Sequence, residues 1–320
     1  MKKIKTVSLF SGVGGIDIPF INHGFDIVYA NDFDINAVKT YNLNFSKKAT
    51  LADITTIDEK EIPECNCLIG GFPCQAFSIA GYRKGFEDTR GTLFFDVARI
   101  LKEKKPEIIF LENVKNLVSH DHGKTFKVII ETLEQIGYHI KYKVMNACEY
   151  GNTPQNRERI YIVGFLDEAI FKKFEFPSKI ILTQTIYDCV DFENKVADKY
   201  YYTEEKYPKI FEEFKKYSNK DTIYQWRRHY VRENKSGLCP TLTANMGTGG
   251  HNVPLVITKY GLRKLTPKEC FNFQGYPKNY VLPNDLSDSH LYKQAGNSVC
   301  VKVIERIVDK ICFAIGQSGK

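Results

Sequence analysis

Over the first half of the chain, short β-branched runs alternate with stretches of helical periodicity, and no other feature limits the fold as strongly. Residues 5–10 predict a strand, 15–22 a helix after a glycine turn, 26–30 a second strand and 34–44 a second helix. Residues 66–70, 107–111, 139–147 and 159–165 read as further strands, with helices at about 91–104 and 123–136. Such alternation predicts an α/β fold with a doubly wound, mostly parallel sheet of the Rossmann-like kind. The pattern breaks after Phe176-Pro177. From 199 to 235, ten Lys and Arg stand against six Asp and Glu, interleaved with aromatic residues such as Tyr202, Tyr224 and Trp226. Residues 236–252, dense in Gly and Thr, read as loops, and a helical pattern returns over 298–313. The expected division is a larger domain of 1–178 and 286–320 and a smaller one of 179–285.

Bulk properties exclude several classes. The net charge of +7 leans toward an anionic partner without requiring one. Nine cysteines are scattered, with no CxxC pair and no Cys/His cluster of zinc spacing, so neither a disulfide framework nor a metal site is expected. A reducing, cytoplasmic setting fits that usage. The basic start Met1-Lys2-Lys3 is followed by an apolar run too short for a signal peptide, and no later stretch is long enough to span a membrane.

The residues suited to chemistry fall at strand ends. Phe10-Ser11-Gly12-Val13-Gly14-Gly15 lies between the first strand and the first helix, where glycines let the backbone turn sharply and approach a ligand. A dinucleotide fingerprint needs a third glycine where Asp17 stands, which weakens that reading. Asp32, at the end of the second strand, can accept from ribose hydroxyls, and Asp53 can reach an adenine amino group. The plainer alternative is a glycine turn with two solvated acids. Gly70-Gly71-Phe72-Pro73-Cys74-Gln75 follows an apolar strand and puts a cysteine where nucleophiles are expected. The polar loop after it carries Arg83, Lys84 and Arg90 and is expected to close on an anionic ligand. Glu112, flanked by Phe110, Leu111 and Val114, is expected to be partly buried, which favours a protonated acid able to donate to a ring nitrogen. Arg157 and Arg159 alone read as a surface pair.

With these residues in order, the chain resembles the bacterial cytosine-5 DNA methyltransferases of the HhaI type. Leu9 to Asp17 is similar to their cofactor motif, Gly71-Phe72-Pro73-Cys74-Gln75 to the nucleophile motif, and Glu112-Asn113-Val114 to the glutamate motif. Gln155-Asn156-Arg157-Glu158-Arg159 resembles the motif whose arginines line the cytosine pocket. The stretch from Arg263 to Pro277 resembles the motif that braces the recognition domain, and Gln294-Ala295-Gly296-Asn297-Ser298-Val299 the last motif, beside the cofactor. The resemblance implies a methyl group carried from S-adenosylmethionine, leaving S-adenosylhomocysteine, to C5 of a cytosine flipped out of double-stranded DNA. It makes Cys74 the nucleophile at C6, Glu112 the donor to N3, and Arg157 and Arg159 the groups that hold the base. It places the cofactor against Phe10, Gly12, Gly14, Gly15, Asp32, Phe33, Asp53, Pro73, Leu93 and Asn297. Relatives commonly carry Glu at position 32 and Trp at 33; Asp32 and Phe33 keep the chemistry and bear on affinity.

The same resemblance makes 179–285 a target-recognition domain. Thr241, Thr243 and Asn245 are then candidates for base edges, Arg227 and Arg228 for phosphates, and Gln75, with Arg83 and Arg90, for the DNA around the flipped base. Further expectations are a monomer that is either the modification half of a restriction-modification system, with a cognate endonuclease acting on the same site, or an orphan methylase. Methylation of transfer RNA is the nearest rival, but that branch usually departs from Phe-Pro-Cys-Gln-Ala-Phe-Ser, which is intact here. A catalytically silent DNA-binding regulator would be expected to lack Cys74 or Glu112.

Overall fold

The computed structural model describes residues 3–73, 93–217, 219–227, 230–248 and 252–316. Its first half runs β1 (Ile4–Leu9), α1 (Asp17–Asn22), β2 (Phe25–Asp32), α2 (Ile35–Asn44), β3 (Thr50–Leu51) and β4 (Cys67–Gly71). There follow α3 (Leu93–Lys104), β5 (Ile108–Val114), α4 (Lys124–Ile136), β6 (His139–Asn146), α5 (Ala147–Tyr150), β7 (Glu158–Phe165) and α6 (Glu168–Lys173). The remainder runs α7 (Pro208–Phe214), β8 (Tyr224–Arg227), β9 (Tyr230–Glu233), β10 (Leu255–Thr258), β11 (Gly261–Lys264), α8 (Pro267–Phe273), α9 (Asp288–Asn297) and α10 (Val301–Ala314).

Seven strands make one sheet in the order β3-β2-β1-β4-β5-β7-β6. β1 pairs in parallel with β2 and β4, β2 with β3, and β4 with β5, while β7 lies antiparallel to β5. This is the expected mostly parallel, doubly wound sheet. Its central strands are unbroken apolar runs because helices cover both faces: Leu68, Ile69, Ile109, Phe110 and Leu111 are fully buried. Phe94, Val97 and Leu101 of α3 and Ile129 and Leu133 of α4 fill the core on one side. The winding reverses between β1 and β4, so a crevice opens beyond their carboxyl ends.

By its contacts the chain divides into two compact units, one of residues 1–145, 158–177 and 304–320, the other of 146–157 and 178–303. The second unit is therefore larger than the 179–285 expected, taking in 146–157 and 286–303 as well. The side chains of Gln155 and Arg157 account for this, because they hydrogen-bond to backbone at 242, 273, 296 and 298. The second unit carries its own antiparallel sheet, β11-β10-β8-β9. Much of the aromatic wealth of 199–235 serves that sheet's core, where Phe214 and Tyr224 are buried with Ile210, Val231, Leu255 and Leu262.

Candidate functional site

In the first unit, β1 ends in a turn that glycine makes possible. Gly12 and Gly14 both have positive φ, as does Phe10, a conformation costly for a side-chain-bearing residue. A Cβ on Gly12 would meet nothing closer than 3.9 Å, so the backbone there is bare. A Cβ on Gly14 would run into the Phe45 ring. Gly15 is buried. The turn is tied to the next strand: the Gly12 amide donates to Asp32 Oδ2 at 2.9 Å, and the Asp34 amide to Oδ1 at 2.8 Å. Burial pushes the Asp32 carboxyl above its ordinary value, against the pull of these amides. Beside it Phe33 is 69% exposed, with Ile35 and Leu51 also open to solvent. Asp53 caps a short helical turn, accepting from the Thr55 amide at 3.0 Å and hydroxyl at 2.8 Å, and stays exposed.

Asp17 is fully buried. It accepts from Ser8 Oγ at 3.1 Å and from the Tyr41 hydroxyl at 2.8 Å, pinning α1 to β1 and α2. The residue that breaks the dinucleotide fingerprint is thus a structural tie.

Beyond β4 and β5 the second half of the site is strapped together. β5 runs to Val114, three residues further than expected, so Glu112 and Asn113 sit within the strand. Asn113 Nδ2 donates to the Phe72 carbonyl at 2.8 Å, fixing the segment that leads into Pro73. A Cβ on Gly71 would stand 3.2 Å from Glu112 Oε2, so glycine leaves that carboxylate its place. Glu112 is buried and its Oε1 lies 3.2 Å from Arg159 Nε, on the antiparallel neighbour β7. Glu158, between the two arginines, turns to Lys115 at 2.9 Å. Pro73 is exposed and Leu93 opens α3. Cys74, Gln75, Arg83, Arg90 and Arg228 lie outside the described residues.

The two arginines expected side by side in the base pocket part company. Arg159 pairs with Glu112, whereas Arg157 belongs to the second unit and is 2% exposed. Its guanidinium donates to the carbonyls of Leu242 at 2.7 Å, of Gly296 at 3.2 Å, and of Ser298. Its tip is therefore turned to backbone carbonyls and away from solvent. In the same unit Asn297 ends α9 and is exposed, as are Thr241, Thr243, Asn245 and Arg227. Thr241 Oγ1 donates to the Asn156 carbonyl at 2.6 Å, and Arg227 to Gln225 Oε1 at 3.1 Å. The stretch from Arg263 to Pro277 contains a fully buried bidentate pair, Arg263 with Glu269, both bonds 2.8 Å. Sequence reasoning assigned no role to Asp17, Asn113 or Gln274. Their signal was present only as polar residues inside apolar surroundings.

Among the described residues no group of three or more His, Cys, Asp or Glu could hold a metal ion, and no helix is long and apolar enough to cross a membrane. The carboxyl ends of β1, β2 and β4 fit a nucleoside better than a metal: bare glycine backbone, a carboxylate, and an exposed aromatic face.

Comparison with known proteins gives a consistent result. The family described as C-5 cytosine-specific DNA methylase matches residues 4–312. Type II methyltransferase M.Bsp6I of Bacillus sp. strain RFL6 is 58% identical over 313 residues, covering 96% of this chain and 98% of that protein. Type II methyltransferase M.HhaI of Haemophilus parahaemolyticus is 39% identical over 319 residues, covering 96% and 94%. Among solved structures, the Entamoeba histolytica methyltransferase EhMeth superposes with a TM-score of 0.72 at 21% identity, covering 98% of this chain and 99% of that one, a likeness of fold.

Proposed function

From the premise that this chain belongs to the C-5 cytosine-specific DNA methylase family, and is a DNA (cytosine-5) methyltransferase, we propose that it uses S-adenosylmethionine and a Cys74 adduct to methylate one cytosine within a short double-stranded site. The observation that carries this reading is the buried Glu112–Arg159 pair beside the strapped Gly71-Phe72-Pro73 segment that leads into Cys74.

The residues at the strand ends fit the cofactor. Asp32 would take the ribose hydroxyls, Phe33 would cover one face of the adenine, and Asp53 has a second carboxylate oxygen to offer the adenine amino group. The bare backbone at Gly12 would let the methionine part approach, with Phe10, Gly14, Gly15, Pro73 and Leu93 completing the lining. When bound, S-adenosylmethionine supplies an electrophilic methyl group.

The target base must leave the helix stack, since its C5 and C6 faces are covered there. The Cys74 thiolate adds to C6, forming a carbon–sulfur bond, while Glu112 in its protonated form donates to N3. Electron density then rises at C5, which takes the methyl. Loss of the C5 proton to a base expels Cys74 and restores the aromatic ring. Arg159 holds Glu112 in place and offers positive charge to the exocyclic oxygen at C2 of the base as negative charge builds there. We read 178–303 as the target-recognition part, with Thr243 and Asn245 facing base edges, Arg227 and Arg228 on phosphates, and Gln75, Arg83 and Arg90 around the flipped base. The enzyme acts as a monomer, paired in the cell with an endonuclease of the same site.

The test is transfer of labelled methyl from S-adenosylmethionine to unmethylated DNA by wild type and Cys74→Ser, followed by bisulfite sequencing. Labelled 5-methylcytosine at one short site, abolished in the variant, is the expected result. Undiminished transfer by Cys74→Ser, or transfer to RNA alone, would overturn it.

A further inference from the structure

We infer that Arg157 is a positioning residue for sequence selectivity: it fixes the segment 241–248 in its reading conformation and does not touch the base. The inference rests on the reading of that segment as base-facing, proposed above.

All the observations lie within the second unit. Segment 241–248 has a two-faced pattern, with Leu242 and Met246 buried and Thr241, Thr243, Asn245 and Thr248 exposed. Its inner face packs against α9. A network of buried polar side chains also ties its backbone down. Arg157 takes the Leu242 carbonyl, and Gln155 Oε1 accepts from the Leu242 amide at 3.3 Å, so both backbone groups of that residue are claimed by one motif. Gln155 Nε2 reaches the Phe273 carbonyl at 2.6 Å and Gln274 Oε1 at 3.2 Å, and Gln274 Nε2 reaches the Ala295 carbonyl at 2.7 Å. Arg157 closes the network on Gly296 and Ser298.

Two close approaches complete the seat. A Cβ on Gly296 would collide with the Thr243 carbonyl carbon, and one on Gly247 with the Ser289 carbonyl oxygen. Both ends of the segment therefore rest directly on α9. Buried polar networks of this kind fix one arrangement, because removing one member leaves the others unsatisfied in a poorly solvating interior. An arginine suits the task where lysine does not: its planar fork reaches three carbonyls on two separate stretches of chain at fixed angles. Fixing the segment before DNA arrives removes an ordering cost that a loose segment would pay equally on right and wrong sites, and it denies the loose segment adjustments that would rescue a wrong site.

The test uses the full-length enzyme with Arg157→Lys and, approaching from the opposite side, Gly247→Ala, which pushes the segment off α9 without touching the arginine. Hydrogen exchange of the Leu242 and Met246 amides is measured without DNA. Methyl transfer is then measured on the cognate duplex and on duplexes carrying single-base changes. In both variants, exchange at the two amides is expected to rise at least tenfold, and discrimination between cognate and altered sites to fall at least tenfold. The kcat on saturating cognate DNA is expected to stay within threefold of wild type. Unchanged exchange in Arg157→Lys would overturn the positioning role. A large loss of kcat with discrimination intact would make Arg157 a base-holding residue and also overturn it. Faster exchange with discrimination intact would leave the seat real and overturn the reading of 241–248 as the base-facing segment.

Discussion

Arg159 Nε and Glu112 Oε1 lie 3.2 Å apart on adjacent antiparallel strands, with both side chains nearly closed to solvent. Position 159 faces 114 in the strand register, two pairs beyond the pairing of Glu112 with its own neighbour Tyr161. The guanidinium therefore reaches along the sheet to meet Glu112. An arginine in this geometry fixes the carboxyl group's direction, with Oε2 held 3.2 Å from where a Cβ on Gly71 would stand.

Glu112→Gln keeps the shape but cannot deliver a proton to N3. Loss of a positioned general acid is worth about 10²–10⁴ in rate. The kcat for methyl transfer should fall at least 10²-fold, with the dissociation constant for S-adenosylmethionine changed less than twofold. A variant with kcat within tenfold of wild type would remove Glu112 from the chemistry.

Phe33 is the exposed face against which an adenine would stack, and Phe33→Ala removes it. Aromatic stacking contributes about 0.5–1.5 kcal/mol beyond area burial. Cofactor binding by titration calorimetry should weaken roughly tenfold, since 1.4 kcal/mol is a factor of ten. Phe33→Trp should tighten it. If neither change alters affinity, the adenine lies elsewhere.

The sheet was legible because its middle strands carry unbroken apolar runs, and the turn after β1 because glycine stands at two of its positive-φ positions, Gly12 and Gly14. The helix α9 was not. Its sequence is polar, only a few positions such as Leu291, Tyr292 and Ala295 meet the core, and Gly296 reads as a stop. That glycine is in the helix because the Thr243 backbone leaves no room for a Cβ there, a long-range fact that no local pattern carries. α8 was legible and missed: Thr266 and Glu269 form a capping box around Pro267, a spacing visible in the sequence. The parting of Arg157 and Arg159 was not legible. Two residues apart on an extended chain implies a shared face, but Arg157 precedes β7 and its side chain follows the second unit's network instead.

Asp17 makes a pH-dependent prediction. Burial pushes its carboxyl up from 3.8 to about 6, the Tyr41 and Ser8 hydroxyls pulling the other way. The folded value lies above the unfolded one, so the contribution to stability is most favourable below pH 3.8. It falls as pH rises from there to about 6, and above that the buried charge is a fixed cost. Asp17→Asn carries no such cost. The Tm of the variant minus that of wild type should rise between pH 4 and 7 and then level off. A difference independent of pH would mean that Asp17 titrates as an ordinary surface acid.

His23 titrates in the opposite sense, at the junction of α1 and α10. Its Nδ1 meets the Pro19 carbonyl at 2.8 Å, its Nε2 meets Asp309 at 2.6 Å, and Glu305 lies 3.7 Å away. Burial alone lowers the imidazole's pKa, but the Asp309 and Pro19 hydrogen bonds, with the charges of Glu305 and Asp309, outweigh it and leave the value raised above 6.5. A raised folded value stabilises the fold fully below about pH 6.5, and that stabilisation is lost as pH climbs through the folded value. Asp309 is half exposed, so salt screens part of the effect. In urea denaturation, wild type should exceed His23→Gln in midpoint most at pH 6, less at pH 7.5, and least at pH 9. Raising the salt at pH 6 should narrow the gap. A gap that widens toward pH 9 would show that His23 holds α10 by packing, with no contribution from its charge.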